Sequence, residues 1–419
     1  MLTERLGALG SPAGVLRAVA AGARRRRLPA PAALTGEWFG AAAVIAPSVE
    51  VRAVDPATVF DVRPGGGSVG GGCGVGGGWI GYLSYPDPGA DAAPPRVPVA
   101  AGGWTDCVLR LDTEGCWWFE SLDGTGPPRW LSAALARTPA RGYCEITWRR
   151  PDFDAHRAGV LACLEAIGAG EVYQACVCTQ FTGEVSGCPL EFFADTVERT
   201  APARAAYLAG RWGAVASLSP ELFLRRVGER VDSSPIKGTL PLHLPAARLR
   251  ASTKDVAENI MIVDLVRNDL GRVADTGSVG VPELLAVRPA PGVWHLVSTV
   301  SARVSPDLPT AALLEAAFPP ASVTGTPKVA ARQLLSQWEP RRRGVYCGTV
   351  GLASPVAGCE LNVAIRTVEF DAHGGAVLGV GGGITADSDP AAEWQECLDK
   401  AAPIVGPLTG QPRACSTAS

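Results

Sequence analysis

The sequence has no apolar run of the roughly 18–20 residues that a membrane-spanning helix requires. Residues 1–5 place an acid early, and no apolar h-region of a signal peptide follows them. From these two absences we expect a cytoplasmic protein without a membrane partner.

Charge is also scarce, and its two signs nearly balance. Only 19% of the 419 residues are charged and the formal net charge is −3, whereas 47% of the residues are hydrophobic. This balance gives no electrostatic reason to expect a nucleic-acid partner, and the apolar fraction is typical of a globular chain. The run 24–27 of four arginines is interpreted as a solvated helix end, because nothing aromatic or basic surrounds it.

Several common motifs are missing. The twelve cysteines contain no Cys-x-x-Cys pair, which leaves a zinc site unsupported and favours buried free thiols in a reducing compartment. The glycine-rich stretch 64–78 lacks a following Gly-Lys-Ser/Thr and is predicted to be a flexible surface loop. Ile384 occupies the third-glycine position of a dinucleotide-binding fingerprint. No Gly-x-Cys-x-Gly elbow of a glutaminase occurs.

The local patterns that are present mix strands and helices. Residues 1–148 are predicted to be a strand-rich region of the same body as the catalytic region 149–408, and the tail 409–419 to be disordered. Because strands and helices do not alternate regularly, the pattern indicates an α+β fold. Strands are predicted at 41–45, 79–84, 107–111, 117–120, 172–181, 206–217, 222–231, 294–304, 344–352 and 361–370. Helices are predicted at 154–168 with Asp154 as cap, at 190–197, at 253–271, and at 390–402 with Asp389 as N-cap and Pro390 at the first position.

Two pairs of acids have the spacing of one helix face. Asp255 and Glu258 are three residues apart on the predicted helix 253–271, and Glu393 and Glu396 repeat that spacing on the last helix. Converging carboxylates would suit Mg²⁺, which prefers oxygen ligands. Such pairs also commonly decorate a solvated helix face, and spacing alone leaves both interpretations open.

A lysine stands in an unusual setting in the stretch 233–241. Lys237 follows Pro235 by two residues and directly precedes Gly238, and its other neighbours are small or apolar. A glycine there would let a ligand approach the backbone closely. The sequence favours either a lysine with a chemical role or one that pairs with a carboxylate.

Eight ordered motifs then resemble the chorismate-utilising enzymes, the family that includes anthranilate, aminodeoxychorismate, isochorismate and salicylate synthases. The resemblance covers roughly residues 150–405, and the N-terminal third matches loosely, chiefly through 77–82. It implies an α+β, anthranilate-synthase-like fold with large sheets that enclose one chorismate site and helices outside. The motifs are Ser-Pro-Glu-Leu-Phe (219–223), Pro-Ile-Lys-Gly-Thr (235–239), the helix segment 255–269, His-Leu-Val-Ser (295–298), Val-Thr-Gly-Thr-Pro-Lys (323–328), Ala-Ile-Arg-Thr (364–367), Gly-Gly-Gly-Ile-Thr-Ala-Asp-Ser (381–388) and Glu-Trp-Gln-Glu (393–396).

The resemblance implies catalytic roles for three residues. The lysine form of the Pro-Ile-x-Gly-Thr motif resembles the aminodeoxychorismate synthase branch, in which Lys237 would attack C2 of chorismate. An amine attacks only when neutral, and a free lysine has a pKa of about 10.4, so apolar surroundings or a nearby cation are needed. Glu221 matches the general acid, and His295 matches a residue that lies near the reacting atoms. Gln174 stands where the water-adding members carry a lysine base, which disfavours isochorismate or salicylate synthesis.

The resemblance also implies a binding set. Arg366 and the backbone of Gly381, Gly382 and Gly383 would hold one substrate carboxylate, since arginine binds carboxylates bidentately and glycine permits close approach. Mg²⁺ would bridge the other carboxylate, held by Glu258 and Glu396, with Asp255 and Glu393 acting partly through water. The further residues expected to line the site are Tyr346, Thr324, Lys328 and Gln174.

The expected activity follows from this branch of the family. Chorismate and ammonia would give 4-amino-4-deoxychorismate for para-aminobenzoate and folate synthesis, and a separate glutamine amidotransferase subunit would supply the ammonia. Two alternatives stay open: the anthranilate-forming reaction, which shares the whole pocket, and a non-catalytic chorismate-binding protein.

Overall fold

A computed structural model describes residues 1–63, 74–87 and 94–406. The predicted tail 409–419 and most of the predicted loop 64–78 lie outside these residues. Within the described part, no helix is long and apolar enough to cross a membrane. The helices are α1 (Pro12–Arg25), α2 (Arg129–Leu135), α3 (Phe153–Gly168), α4 (Pro189–Thr200), α5 (Ala247–Ala251), α6 (Thr253–Gly271), α7 (Thr310–Ala317), α8 (Lys328–Trp338) and α9 (Pro390–Val405).

The strands supply most of the fold, and every pairing between them is antiparallel. They are β1 (Leu2–Gly7), β2 (Ala32–Trp38), β3 (Ala41–Ala46), β4 (Arg52–Ala53), β5 (Gly78–Leu83), β6 (Ala100–Thr105), β7 (Cys107–Leu111), β8 (Trp117–Ser121), β9 (Cys144–Arg149), β10 (Gln174–Gly187), β11 (Arg204–Gly210), β12 (Gly213–Ser219), β13 (Leu222–Val227), β14 (Arg230–Ser234), β15 (Ile236–Pro241), β16 (Gly280–Ala290), β17 (Val293–Arg303), β18 (Gly325–Thr326), β19 (Thr349–Ser354), β20 (Gly358–Asn362), β21 (Thr367–Asp371) and β22 (Gly375–Ile384).

These strands form two large sheets. The first has twelve strands in the order β1-β8-β7-β3-β2-β11-β12-β21-β22-β10-β18, with β9 beside β10. The second has ten strands in the order β15-β17-β14-β13-β20-β19-β5-β6-β4, with β16 beside β17. Strands on either side of residue 148 pair in both sheets, β2 with β11 and β5 with β19. The division at residue 148 itself stays a prediction.

The core lies between the sheets and beneath the helices. One apolar cluster joins both sheets, for example through Val44 and Leu352. A second packs α1, α4 and α9 onto the first sheet, and a third packs α6 and α7 onto the second sheet. The expected α+β fold, with large sheets inside and helices outside, is confirmed by this arrangement.

Several predicted elements match the structure closely. The helix predicted at 253–271 and the strand predicted at 107–111 are present with those bounds. The last helix begins as predicted, because the Asp389 side chain accepts hydrogen bonds from Ala391 N and Ala392 N and Pro390 follows. The run 24–27 is exposed at the end of α1, as predicted.

Several boundary predictions were wrong. The segments predicted as strands at 206–217 and 222–231 are the hairpins β11–β12 and β13–β14, because the chain turns next to Gly213 and Gly228, which have positive φ.

Three further boundaries also differ. The cap of α3 is Asp152, whose Oδ1 accepts from Asp154 N at 2.9 Å, so Asp154 is a first-turn residue. The strand predicted at 344–352 begins only at Thr349, because buried carboxylates hold the preceding residues in an irregular turn. The strand predicted at 361–370 is broken into β20 and β21, and Arg366 between them has a φ of 51°.

Candidate functional site

The glycines at the end of β22 bring together residues from three other elements. A Cβ atom at Gly383 would lie 3.0 Å from Lys237 Nζ and 3.1 Å from Gln174 Oε1. A Cβ atom at Gly382 would lie 2.8 Å from Glu393 Oε2. Because glycine has no side chain, β22 leaves space that the functional groups of β15, β10 and α9 approach. The structure thereby assembles residues that are more than 200 positions apart.

Lys237 lies on β15, where the pairing with β17 is irregular. The register shifts between Ile236 and Thr239, and Gly238 has a φ of +88°, which only glycine adopts readily. A Cβ atom at Gly238 would lie 3.0 Å from the Cβ atom of Asp255 on α6. The glycine after the lysine therefore serves two local needs, a left-handed backbone and close approach of the carboxylate-bearing helix.

Glu221 lies between β12 and β13 and is only 3% exposed. Its Oε1 accepts a hydrogen bond from Ile236 N at 3.3 Å, which places the carboxyl group beside the Lys237 strand. Burial raises the pKa of Glu221 to about 7, against the opposing effects of a hydrogen bond from Ser322, the Ile236 N–H and the charge of Lys237. A carboxyl group with this pKa holds a proton near neutrality and can donate it.

The predicted carboxylates lie on α6 and α9. Glu258 and Glu393 are buried, at 8% and 3% exposure, whereas the Glu396 side chain is half-exposed. Asp255 lies in the first turn of α6, where its N–H is capped by Ser252 Oγ at 3.2 Å. Burial raises the pKa of Glu258, and the charges of Lys237 and Lys254 oppose that rise.

Two lysines accompany these carboxylates, and sequence reasoning missed both. Lys254 Nζ donates to Glu393 Oε1 over 3.4 Å. Lys400 Nζ lies 2.7 Å from Glu396 Oε1 and donates to Gly381 O, also at 2.7 Å. Burial opposes ionisation of Glu396, but Lys400, Lys254 and Lys237 outweigh it and lower its pKa. The available signal was spacing, since each lysine stands four residues from a predicted metal-site glutamate on its own helix.

The donor set fits Mg²⁺ only as a partial shell. Among the described residues, no group of three or more His, Cys, Asp or Glu side chains converges closely enough to hold a metal ion. Mg²⁺ usually keeps several waters and takes one or two carboxylates together with oxygens of its ligand. Glu258 and Glu396 are close enough for their charges to repel, so a divalent cation between them would relieve that repulsion.

Two further predicted residues, His295 and Arg366, lie close enough for the charge of Arg366 to act on the imidazole. His295 is 5% exposed, and its Nδ1 lies 3.1 Å from Thr239 Oγ1. Burial, together with the charge of Arg366, lowers the pKa of His295 to about 4, so the imidazole is neutral at neutral pH. Burial also lowers the pKa of Arg366, for which the described residues provide no hydrogen-bond or ion-pair partner. A half-buried guanidinium without a partner is suited to bind a carboxylate ligand.

The remaining predicted residues differ in whether their side chains already have hydrogen-bond partners within the protein. Gln174 is 1% exposed, and its Oε1 has no hydrogen-bond partner among the described residues. Tyr346 is buried against Gly379, with its hydroxyl 3.9 Å from Cys178 Sγ.

The other two residues, Thr324 and Lys328, already donate hydrogen bonds to protein groups. Thr324 Oγ1 donates to Pro320 O at 2.9 Å, and Lys328 Nζ donates to Asp269 Oδ2 at 2.6 Å and to Ala317 O at 2.9 Å. The predicted substrate contacts of Thr324 and Lys328 stay predictions.

Comparison with known proteins places this arrangement in a family. The sequence model of a family described as "chorismate binding enzyme" matches residues 77–406. Aminodeoxychorismate synthase component 1 of Klebsiella aerogenes is 40% identical over 282 residues, which cover 65% of this chain and 62% of that protein. An anthranilate synthase component I-like protein of Synechocystis is 33% identical over 362 residues, 80% of this chain and 73% of that protein.

The fold is shared with a solved structure. Anthranilate synthase component I from Streptococcus pneumoniae superposes with a TM-score of 0.71 at 23% sequence identity, covering 90% of each chain. The chain spans less than two thirds of the length of the Klebsiella protein. Gly381, Gly382 and Gly383 of β22, which we call the glycine strip, bring the matching motifs together. Because the family model also matches most of its residues, this chain belongs to the family of chorismate binding enzymes.

Proposed function

We propose that this protein aminates chorismate to 4-amino-4-deoxychorismate, with Lys237 as a covalent nucleophile. The observation that carries the proposal is the position of Lys237 Nζ, 3.0 Å from where a Cβ atom of Gly383 would lie, with Gln174 and Glu258 beside it. A lysine needed only for structure would have a committed ion-pair partner, and the described residues provide none within ion-pair distance of Lys237.

In the first half of the reaction, Lys237 Nζ bonds to C2 of chorismate and the ring double bonds shift as the C4 hydroxyl departs. Glu221 donates the proton that lets the hydroxyl leave as water. The raised pKa of about 7 supports this role, because the carboxyl group still holds a proton near neutral pH.

In the second half, ammonia bonds to C4, the double bonds shift back and the C2–Nζ bond breaks. The product keeps the enolpyruvyl group, and chorismate plus ammonia gives 4-amino-4-deoxychorismate plus water. The Gln174 amide is not basic enough to activate water for attack at C2, which favours amination over hydration. Its free Oε1 suits a ligand N–H or O–H group.

Substrate binding would fall to Arg366 and the glycine strip. The guanidinium would take one carboxylate bidentately, and Gly381, Gly382 and Gly383 let the backbone approach it. The neutral imidazole of His295 and the hydroxyl of Tyr346 would position the substrate ring. Glu258 and Glu396 would hold Mg²⁺, with Asp255 and Glu393 contributing partly through water; a bound Mg²⁺ would neutralise the second substrate carboxylate.

We further propose a separate glutamine amidotransferase as the source of ammonia, a cytoplasmic location, and a product that leads to para-aminobenzoate and folate. The name "component 1" of the Klebsiella relative supports a second component. Activity with glutamine on addition of an amidotransferase subunit would support the partnership, whereas unchanged dependence on ammonium salts would refute it.

The test is mass spectrometry of products formed from chorismate, Mg²⁺ and ammonium. Wild-type protein is expected to form aminodeoxychorismate and, after quenching, to carry a Lys237 adduct of the mass of chorismate less water. Lys237→Ala and the charge-preserving Lys237→Arg should form neither, whereas Arg250→Gln on the exposed face of α5 should behave as wild type.

Two other results would select the alternatives. Loss of pyruvate with anthranilate fluorescence would indicate the anthranilate-forming reaction. The anthranilate synthase component I-like protein of Synechocystis, which matches 80% of this chain, is the reason to test for it. Unaltered chorismate would indicate a binding protein without catalysis.

A further inference from the structure

Lysine is rare in this chain, and three of its four positions lie near the carboxylates of α6 and α9. Of the 38 lysine and arginine residues, only four are lysines: Lys237, Lys254, Lys328 and Lys400. All four belong to the motifs or the carboxylate helices described above. In a chain that uses arginine nearly everywhere, each lysine position raises the question of why arginine does not serve there.

For three of the four positions, the structure or the proposed chemistry gives a reason for lysine. Lys237 is the proposed nucleophile, a role that a guanidinium cannot fill. Lys328 is buried in a pair with Asp269, and Lys400 reaches the backbone of Gly381 as well as Glu396. Lys254 has no such explanation, because its side chain is 46% exposed and there is room for an arginine.

The contact of Lys254 with the protein is single and long. Its Nζ lies 3.4 Å from Glu393 Oε1, and that oxygen already accepts a hydrogen bond from Ser388 Oγ at 2.7 Å. By contrast, Lys400 Nζ lies 2.7 Å from its glutamate. Lys254 is thus weakly held at the edge of a buried carboxylate, with its stem in solvent.

The charges that act on Lys254 come from the whole carboxylate cluster. Burial of the ammonium opposes its charge, but Glu393, Glu258 and Glu396 outweigh burial and raise the pKa of Lys254. These three are residues that would face a divalent cation. The direct contact of Lys254 is with Glu393 alone, and Lys237 and Lys400 also offset the charge of the other two carboxylates.

We infer that Lys254 is a displaceable counter-ion of Glu393, the buried carboxylate that it contacts, and that its ammonium moves into solvent when a divalent cation binds at Glu258, Glu393 and Glu396. Divalent-cation binding is then an exchange of cations, and Lys254 sets its affinity. The inference rests on the metal site proposed above.

The chemistry of lysine suits such an exchange. An ammonium is a compact point charge on a flexible stem, and it loses one long hydrogen bond when it leaves. A guanidinium would hold a carboxylate with a planar fork of two hydrogen bonds and would resist displacement. This difference explains the choice of lysine at an exposed position.

Calorimetric titration with Mg²⁺ tests the inference without any turnover. Lys254→Gln removes the competing charge and should bind Mg²⁺ about tenfold more tightly than wild type, since Mg²⁺ no longer has to displace an ammonium whose attraction to a carboxylate a few ångströms away is worth about this much. Lys254→Arg should bind more weakly than wild type. Arg250→Gln, which removes an exposed charge four residues away, should change the affinity less than twofold, roughly the limit for a screened surface charge.

Chemical labelling of wild-type protein supplies a second readout. With only four lysines, the extent of amidination of each can be followed by mass spectrometry. Mg²⁺ should increase labelling of Lys254 and leave Lys328, which is 14% exposed and paired with Asp269, unchanged.

The possible results distinguish failure of the cation exchange from failure of the proposed metal site. If Mg²⁺ binds but Lys254→Gln does not tighten it, or Mg²⁺ fails to increase labelling of Lys254, the exchange is wrong while the proposed metal site stands. If neither wild type nor Lys254→Gln binds Mg²⁺, the metal site and the exchange both fall. The proposed amination is judged separately, by the products.

Discussion

Glu221 accepts a hydrogen bond from Ile236 and His295 lies beside Thr239, so two buried titratable residues lie near Lys237, the proposed nucleophile. Glu221 and His295 are both almost fully buried, and burial disfavours the charged form of each. For the acid this means a retained proton near neutral pH, whereas for the imidazole it means a neutral ring that cannot readily donate. The residue that can act as the general acid is therefore Glu221.

Replacement of Glu221 by glutamine tests that assignment. The amide keeps the size and one acceptor but has no acidic proton, so we expect the rate of amination to fall by roughly 10²–10⁴. In the wild type, the protonated fraction of a carboxyl group with a pKa of about 7 declines as the pH rises. The rate should therefore fall from about pH 6 to pH 8, roughly a unit on each side of that pKa.

A matched control separates catalysis from charge loss. Glu229→Gln removes an exposed carboxylate from the turn between β13 and β14 and should leave the rate and its pH profile as in wild type. A rate that is unaffected by Glu221→Gln, or that rises through neutrality in the wild type, would remove Glu221 from the mechanism.

At the scale of elements, α9 carries much of the carboxylate cluster, and its start is fixed by one side chain. Asp389 Oδ1 accepts from Ala391 N at 3.0 Å and from Ala392 N at 2.9 Å. Asp389→Ala should lower the free energy of unfolding by about 1 kcal/mol, the usual loss for an N-cap. Because Glu393 lies in the first turn, fraying of that turn should also weaken Mg²⁺ binding.

The equivalent cap of α3 provides the control. Asp152→Ala should cost a similar free energy in urea unfolding, since Asp152 caps two N–H groups in the same way. It should leave the Mg²⁺ isotherm unchanged. Equal effects of the two variants on Mg²⁺ binding would mean that the start of α9 does not organise the site.

The elements also show what the sequence could predict. The signals for α6 and α9 are local, a cap followed by residues with helical periodicity, and both helices begin where predicted. The irregular turn before β19 has no local signal, because its N–H groups are satisfied by carboxylates from residues 87 and 369. Strand periodicity alone extends β19 through it, and only the assembled fold shows otherwise.

The residues of the candidate site also differ in whether the sequence could predict them. Lys237 and Glu221 are visible in the sequence because motif residues of a known family surround them. Lys254 and Lys400 are not, because a lysine four residues from a glutamate is ordinarily a solvent-exposed helix pair. Their significance comes from the packing of α9 against β22 and of α6 against β15, which depends on contacts between distant segments.

At the scale of the molecule, two carboxylates hold the turn that carries Tyr346, and one of them, the half-buried Asp87, comes from the N-terminal region. Glu369 Oε1 accepts from Val345 N at 2.5 Å, and Asp87 Oδ2 accepts from Arg343 N at 3.1 Å and from Gly344 N at 3.3 Å. Burial raises the pKa of Glu369 to about 7 and that of Asp87 to about 6, against the opposing effect of these hydrogen bonds. Ionisation of Glu369 is disfavoured further by Asp87 and favoured by Arg96.

These raised values predict how global stability depends on pH. The folded protein binds the Glu369 proton up to about pH 7, whereas the unfolded chain releases it near 4.5. Between these values the folded state binds more protons, so the free energy of unfolding falls as the pH rises, and the loss is complete above about pH 7. Glu221 and Asp87 act in the same direction, whereas His156 and His295, whose pKa burial lowers to about 4, act in the opposite direction up to about pH 6.5. Because three carboxyl groups oppose two imidazoles, the protein should be more stable at about pH 5 than at about pH 8.

Glu369→Gln isolates one part of this dependence. The neutral amide keeps an acceptor for Val345 N and cannot ionise, so relative to wild type the variant should gain roughly 1–3 kcal/mol between about pH 5 and pH 8. Urea unfolding at both pH values measures this difference, and Glu229→Gln, at an exposed position, should show none. A variant that loses more stability at the higher pH than at the lower would mean that ionised Glu369 stabilises the turn, and the carboxylate would then be a charge-dependent clamp on the segment that carries Tyr346.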